Sequence, residues 1–144
     1  MIAKLNTNDE SCSTHFIQYG GVEGLTGDQS GPRHIVSVLK ERRDAAVRLL
    51  NEMPGVRCYM PDSAFYLFPN VTGAMRNKGF TDVEDFRRAV LHETGVSVCS
   101  RVHFGRPRPG EAEQYVRLAY SGIDTPEIVE GLGRFKTYLA GGAK

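Results

Sequence analysis

The sequence has little that would bind by bulk charge, cross a bilayer or staple a fold. Its formal net charge is +1 over 144 residues, which gives no electrostatic reason to expect a nucleic-acid or membrane partner. No apolar run approaches the roughly 20 residues of a bilayer-spanning helix. The N-terminus lacks the basic-then-apolar pattern of an export signal, so a cytoplasmic protein is expected. Cysteine is scarce: Cys12, Cys58 and Cys99 are odd in number, carry no metal-ligand spacing and read as reduced thiols. None has a helix N-terminus and a base arranged around it, so no nucleophilic cysteine is expected. Gly20, Gly21 and Gly24 fall inside a helical pattern rather than between a strand and a helix, which excludes a phosphate-cradling loop there. His15, His34, His92 and His103 are scattered without metal spacing, and no serine sits in a nucleophile elbow.

What is present is ordinary globular material, 40% hydrophobic and 24% charged, in a length that suits one compact domain. The first dozen residues are polar and read as a loop. From Ser13 to Thr26 the pattern is helical, with Phe16, Ile17, Tyr19, Val22 and Leu25. Its three glycines each cost about 1 kcal/mol relative to alanine, so this helix needs packing that the neighbouring sequence does not supply. A longer helix starts near Pro32 and ends near Met53 before Pro54-Gly55, with Ile35, Leu39, Ala46, Leu50 and Met53 as its stripe. Lys40 to Asp44 reads as a wet face. Val56–Met60 and Ala64–Phe68 read as a strand hairpin, and 71–79 as irregular and exposed. Thr81 and Glu84 form a capping box for a helix that buries Val83, Phe86 and Val90 and stops at Gly95. Val96–Val98 reads as a strand, Cys99–Gly110 as a basic loop, and Asp124 to Glu127 as the cap of a last helix with stripe Ile128, Leu132, Phe135 and Leu139. The order predicts an α+β fold, a small mixed or antiparallel sheet covered by helices.

The segment Gln114–Gly122 alternates like a half-buried strand, with Val116, Leu118 and Tyr120 on one face and Tyr115, Arg117 and Ala119 on the other. A mid-strand arginine can reach solvent along its stem, pair with an acid, or receive an anionic ligand. The adjoining loop carries Arg101, His103, Phe104 and Gly105 where two strand ends meet, a common place for binding groups. His103 is a candidate ligand contact. A planar guanidinium matches a carboxylate bidentately. The segment therefore looks suited to a small carboxylate, with no acid, base or nucleophile of its own.

At these residues the chain resembles the C-terminal, small-domain part of a class I/II aminotransferase, an aspartate-aminotransferase-like enzyme of fold type I that uses pyridoxal phosphate. The matching pieces are Pro54-Gly55-Val56, Pro61-Asp62-Ser63-Ala64-Phe65-Tyr66-Leu67-Phe68-Pro69, Thr94-Gly95-Val96-Ser97-Val98, Phe104-Gly105 and Val116-Arg117-Leu118-Ala119-Tyr120, in that order and spacing. The resemblance implies that Arg117 binds the substrate α-carboxylate, with Phe65 and the segment around Phe104 beside it. It implies an arm and helix over 1–31 that belong with a large domain, and a small domain over 32–144. It also implies a homodimer, with the polar arm Asn6 to Thr14 near the dimer interface, and an amino acid and a 2-oxo acid as substrates. Cys99-Ser100-Arg101-Val102-His103 replaces the family's small Pro- or Gly-rich loop, and its added positive charge would suit an acidic substrate side chain. The cofactor lysine of the family lies in a Ser-Lys setting. Lys4, Lys40, Lys78, Lys136 and Lys144 have no such setting, so pyridoxal phosphate is expected on a large domain outside this sequence, and no catalytic residue within it. A stand-alone, non-catalytic module that binds a small carboxylate or a protein is the alternative.

Overall fold

The computed structural model describes residues 1–9, 13–106 and 108–141. The chain divides into two compact units, residues 1–36 and 37–144. In the first, the stretch read as a polar loop is instead a helix, α1 (Ile2–Asp9), and α2 follows over His15–Thr26. Residues 10–12, and Cys12 with them, lie outside the described residues. Neither helix buries a residue within the chain. Phe16 is 74% exposed and Leu25 84%, so α2 presents its apolar side chains uncovered.

α3 (Ser30–Asn51) begins in the first unit and enters the second. Pro32 sits in its first turn, where a missing N–H costs nothing. Its C-terminal half buries Ala46, Val47, Leu49 and Leu50, whereas Ile35 of the expected stripe is exposed. The wet run is only partly wet. Arg42 donates to Asp124 Oδ1 at 2.7 Å and to the Ser121 carbonyl at 2.8 Å, and Arg43 Nη1 reaches the Pro61 carbonyl at 3.2 Å.

The second unit is an α+β layer built on a three-stranded sheet of order β1-β3-β2. β1 is Tyr66–Leu67, β2 is Cys99–Ser100 and β3 is Val116–Ala119. Both pairings are antiparallel, with Leu67 opposite Leu118, Cys99 opposite Arg117 and Ser100 opposite Val116. The expected hairpin shrinks to one bridge between Arg57 and Asn70, because β1 pairs with the distant β3 instead. Ala64 falls out of the strand pattern altogether at φ 64°, and its carbonyl accepts from the Tyr120 hydroxyl at 2.9 Å. The strand expected at Val96–Val98 lies three residues later, in β2.

Residues 71–79, expected to be irregular, hold α4 (Thr72–Asn77), with Val71, Ala74 and Met75 buried. A helix this short shows no periodicity. It is started by Asn70, whose Oδ1 accepts from Thr72 N at 3.0 Å. α5 (Val83–Thr94) buries the expected Val83, Phe86 and Val90 and ends at Gly95 in the left-handed region, φ 72°. Its cap is Asp82 rather than Thr81. The Asp82 carboxylate accepts from Glu84 N and Asp85 N, and a full negative charge suits the helix N-terminus better than a hydroxyl. α6 (Thr125–Ala140) buries Ile128, Leu132, Phe135 and Leu139, the stripe read from sequence. Glu127 Oε2 accepts from Asp124 N at 2.9 Å at its start. Phe86, Phe135, Leu50, Leu67, Val90 and Val116 form the fully buried centre, each contributing roughly 1.5–3 kcal/mol by leaving water.

Gly55 and Gly73 let α4 approach the end of α3. A Cβ on Gly55 would lie 2.4 Å from Ala74 N, at a backbone φ of +77°. Gly79 has the same φ, with nothing within 4 Å of such a Cβ. Gly79→Ala should therefore cost only the backbone term, about 1–2 kcal/mol, and Gly55→Ala that term plus a backbone collision. In urea unfolding, Gly55→Ala is expected to lose at least twice as much stability as Gly79→Ala. Equal losses would remove the role given to the close approach.

Candidate functional site

The alternation of β3 separates two jobs by one residue. Val116 enters the core with no exposure, and Arg117 emerges half-buried on the other face. The Arg117 Cζ lies 4.5 Å from the ring centroids of both Tyr66 and Phe104. Rings over a guanidinium stabilise the cation, and neither ring offers a carboxylate to its N–H donors. Its Nη2 also lies 4.0 Å from Cys99 Sγ, a weak acceptor directly opposite on β2. Arg117 makes no ion pair among the described residues. Of the fates open to this side chain, the internal acid pair is not the one seen among the described residues.

A row of aromatic rings continues from this point. Phe104 meets Phe68 edge-on at 6.2 Å, and Phe68 stacks on Tyr115 at 5.3 Å with the planes 6° apart. An open cleft of about 670 Å³ adjoins them, lined by Phe68, Tyr115, Arg101, Arg108 and Glu111. On the other side of the sheet lies a second, apolar cavity of about 360 Å³, among Leu67, Val96, Leu118, Ile128 and Leu132, with neither Arg117 nor Phe104 in its wall.

The four residues singled out from sequence are not equally close. Arg117 and Phe104 are in contact. Phe65 is one ring further out, 4.5 Å from Tyr66, and it is Tyr66 that meets the guanidinium. Tyr66 falls in the strand expected over Ala64–Phe68 but is not among the candidate residues that the sequence singles out. Only the pairing of β1 with β3, Tyr66 opposite Ala119, brings it diagonal to Arg117. His103 turns away. Its Nδ1 is 2.9 Å from the Ser100 hydroxyl and 3.7 Å from Glu84 Oε1.

The loop is less cationic in effect than in composition. Arg101 grips Glu111, with Nε 2.9 Å from Oε1 and Nη2 3.0 Å from Oε2, and Nη1 donates to the Gly105 carbonyl. The Arg108 N–H, followed by the charge of Arg101, holds the Glu111 carboxyl below its ordinary range. The segment expected as loop begins with a 3-10 turn, Arg101–Phe104, closed by Gly105 at φ 115°. Among the described residues, no group of three or more His, Cys, Asp or Glu could hold a metal. No described helix is long and apolar enough to cross a membrane.

No family model matches the chain. It is 34% identical over 138 residues to the asparagine–oxo-acid transaminase of Streptococcus mutans, covering 96% of this chain and 33% of that protein. It is 32% identical over 136 residues to the aspartate aminotransferase of Bacillus subtilis, covering 93% and 33%. The chain thus spans about a third of the length of these curated relatives. Among solved structures, the aspartate aminotransferase of Rhizobium meliloti superposes with a TM-score of 0.73 at 25% identity, over 95% of this chain and 34% of that one. The alanine aminotransferase of Pyrococcus furiosus does so at 0.74 and 26%, over 89% and 30%.

The two described cysteines differ in burial. Cys58 is buried, and burial pushes its thiol up to about 11, so its reactive thiolate is only about a thousandth of the population at pH 8. Cys99 is half-buried, opposite Arg117. Iodoacetamide at pH 8, followed by peptide mass mapping, should modify Cys99 at least tenfold faster than Cys58. Equal rates would contradict the burial of Cys58.

Proposed function

The chain is related over almost its whole length to the aspartate-aminotransferase-like proteins and corresponds to about a third of theirs, and from that premise we propose that it is the carboxylate-binding small-domain part of a pyridoxal-phosphate-dependent aminotransferase. The complete enzyme would move an amino group between an amino acid and a 2-oxo acid. The observation that carries this reading is a half-buried guanidinium with aromatic rings against it and no acid paired to it among the described residues. Such a group is pre-oriented, and its N–H donors can take a carboxylate in the fork-to-fork manner. Arg117 would hold the α-carboxylate of the substrate. Phe104, with Phe65 further out, would shield it from water, which strengthens the charged hydrogen bonds.

The described lysines do not fit pyridoxal phosphate. Lys78 donates to the Gly141 carbonyl and lies over the Tyr138 ring, and Lys136 pairs with Glu52. Lys4 and Lys40 are exposed on α1 and α3, and Lys144 is outside the described residues. The cofactor would then be held by a large domain outside this chain, in a cytoplasmic homodimer, and no step through it is assigned to these residues. Residues 1–31 would belong to the large-domain side and 32–144 to the small domain. The uncovered apolar side chains of α2 support that division.

A stand-alone carboxylate-binding module is the second reading, favoured by the fact that residues 37–144 hold the core and Arg117 together. Affinity separates the two. Calorimetry and arginine-selective NMR on this chain with succinate should give weak, millimolar binding, and Arg117→Ala should weaken it by a factor of about 10 to 100, the worth of a charged hydrogen-bonded pair. Micromolar binding without any partner would favour the module. Unchanged binding in Arg117→Ala would overturn the carboxylate site in either reading.

A further inference from the structure

The 3-10 turn Arg101–Phe104 delivers the Phe104 ring to Arg117, yet no residue of the turn is buried. Val102 is 45% exposed and Phe104 44%, so apolar burial does not fix its position. Polar ties must do so. Arg101 N donates to the Tyr115 carbonyl at 2.9 Å and the Arg101 guanidinium holds Glu111 and the Gly105 carbonyl, while the ties that reach α5 converge on Ser100. This residue ends β2 immediately before the turn, has no exposure at all, and is paired across the sheet with Val116, next to Arg117. Its hydroxyl donates to the Glu84 carboxylate of α5 and lies 2.9 Å from His103 Nδ1.

A serine hydroxyl has one proton. With that proton given to the carboxylate, the serine oxygen can only accept from the histidine, which makes Nδ1 the protonated ring nitrogen. The chain of donors therefore runs His103 Nδ1–H to Ser100 Oγ–H to Glu84. Each bond in such a series polarises the next. Glu84 is itself held from the far side by Arg87 Nε at 3.0 Å. The Ser100 hydroxyl, and after it Arg87, keeps the Glu84 carboxyl below its usual range, so it is a full anion at neutral pH. A rigid helix thus reaches across to the start of the turn, separately from the Arg101–Glu111 pair. At the other end, Gly105 at φ 115° turns the chain away.

We propose that Glu84, Ser100 and His103 are positioning residues: together they clasp the 3-10 turn to α5 and so fix Phe104 against the guanidinium of Arg117. The inference rests on Arg117 being the working group of the site, but the clasp acts before any ligand arrives. It gives His103 a part through the Ser100 hydroxyl it bonds, at 2.9 Å, rather than through any contact with Arg117. It also separates the turn's sequence, Arg101-Val102-His103-Phe104, into residues that anchor and a residue that touches.

The test is read on the ligand-free, full 144-residue chain. Protons above an aromatic ring resonate upfield, so the Nε–Hε signal of Arg117 in an arginine-selective 1H–15N spectrum reports the ring's placement. Phe104→Leu calibrates the displacement. Glu84→Ala is expected to move the signal in the same direction by at least half as much, and to add nothing in the double variant with Phe104→Leu. Glu84→Gln, whose amide oxygen still accepts from Ser100, should restore the wild-type position. If Glu84→Ala does not fold, His103→Ala, which removes a largely exposed side chain, carries the same expectation. An Arg117 signal that stays at the wild-type position in whichever of these variants is folded overturns the proposal and leaves Glu84 a tie between helix and sheet. Because no carboxylate is added, a failure of succinate binding would leave this result standing, and the two ideas fail separately.

Discussion

The site depends on β3 being the middle strand. A central strand has its backbone paired on both edges, so its side chains can point only to the two faces. That constraint puts Val116 in the core and Arg117 on the opposite face, with no freedom to exchange them short of sliding the whole strand by one residue. The same constraint brings the partners of Arg117 from both edges: Tyr66 from β1, and Cys99 with the turn to Phe104 from β2. A core residue and the guanidinium proposed to bind are thereby fixed by one set of backbone hydrogen bonds.

An arginine held this way is in an unusual electrostatic position. Partial burial removes water from the cation, which is unfavourable, and two ring faces return some of that energy, at about 0.5–2 kcal/mol each depending on exposure. The rings lie 4.5 Å from its Cζ, and no carboxylate is paired with it among the described residues. The neighbouring Arg101 is treated in the opposite manner, with a bidentate carboxylate and backbone carbonyls taking up its donors. Two arginines sixteen positions apart in the chain thus differ in role through their partners alone. One closes a loop, and the other is left able to receive an anion.

The N-terminal unit is a different case. Its helices carry apolar side chains but bury none of them within the chain, and α2 carries three glycines as well. A helix of that composition gains little from propensity and nothing from burial here. That energetic imbalance supports the proposal that the segment packs against a large domain. The long α3, by contrast, earns its place through its C-terminal half, where Ala46, Val47, Leu49 and Leu50 meet the core.

Much was legible before any coordinates. The buried stripe of α6, the buried face of α5, its stop at Gly95 and the strand carrying Arg117 follow from periodicity and from the chemistry of helix ends, which act within a few residues. The sequence by itself determined those elements, and it placed Arg117 and Phe104 as candidates for one site. It did not determine that Tyr66 rather than Phe65 faces the guanidinium, that His103 is drawn off by Ser100 and Glu84, or that Arg101 is consumed by Glu111. Nor did it reveal α4, too short to show a period, or the single bridge that replaced a hairpin. These were decided by tertiary structure, because each depends on which segment lies across from which. Cross-strand partners such as residues 66 and 119 are brought together by the fold, and no local pattern encodes their meeting.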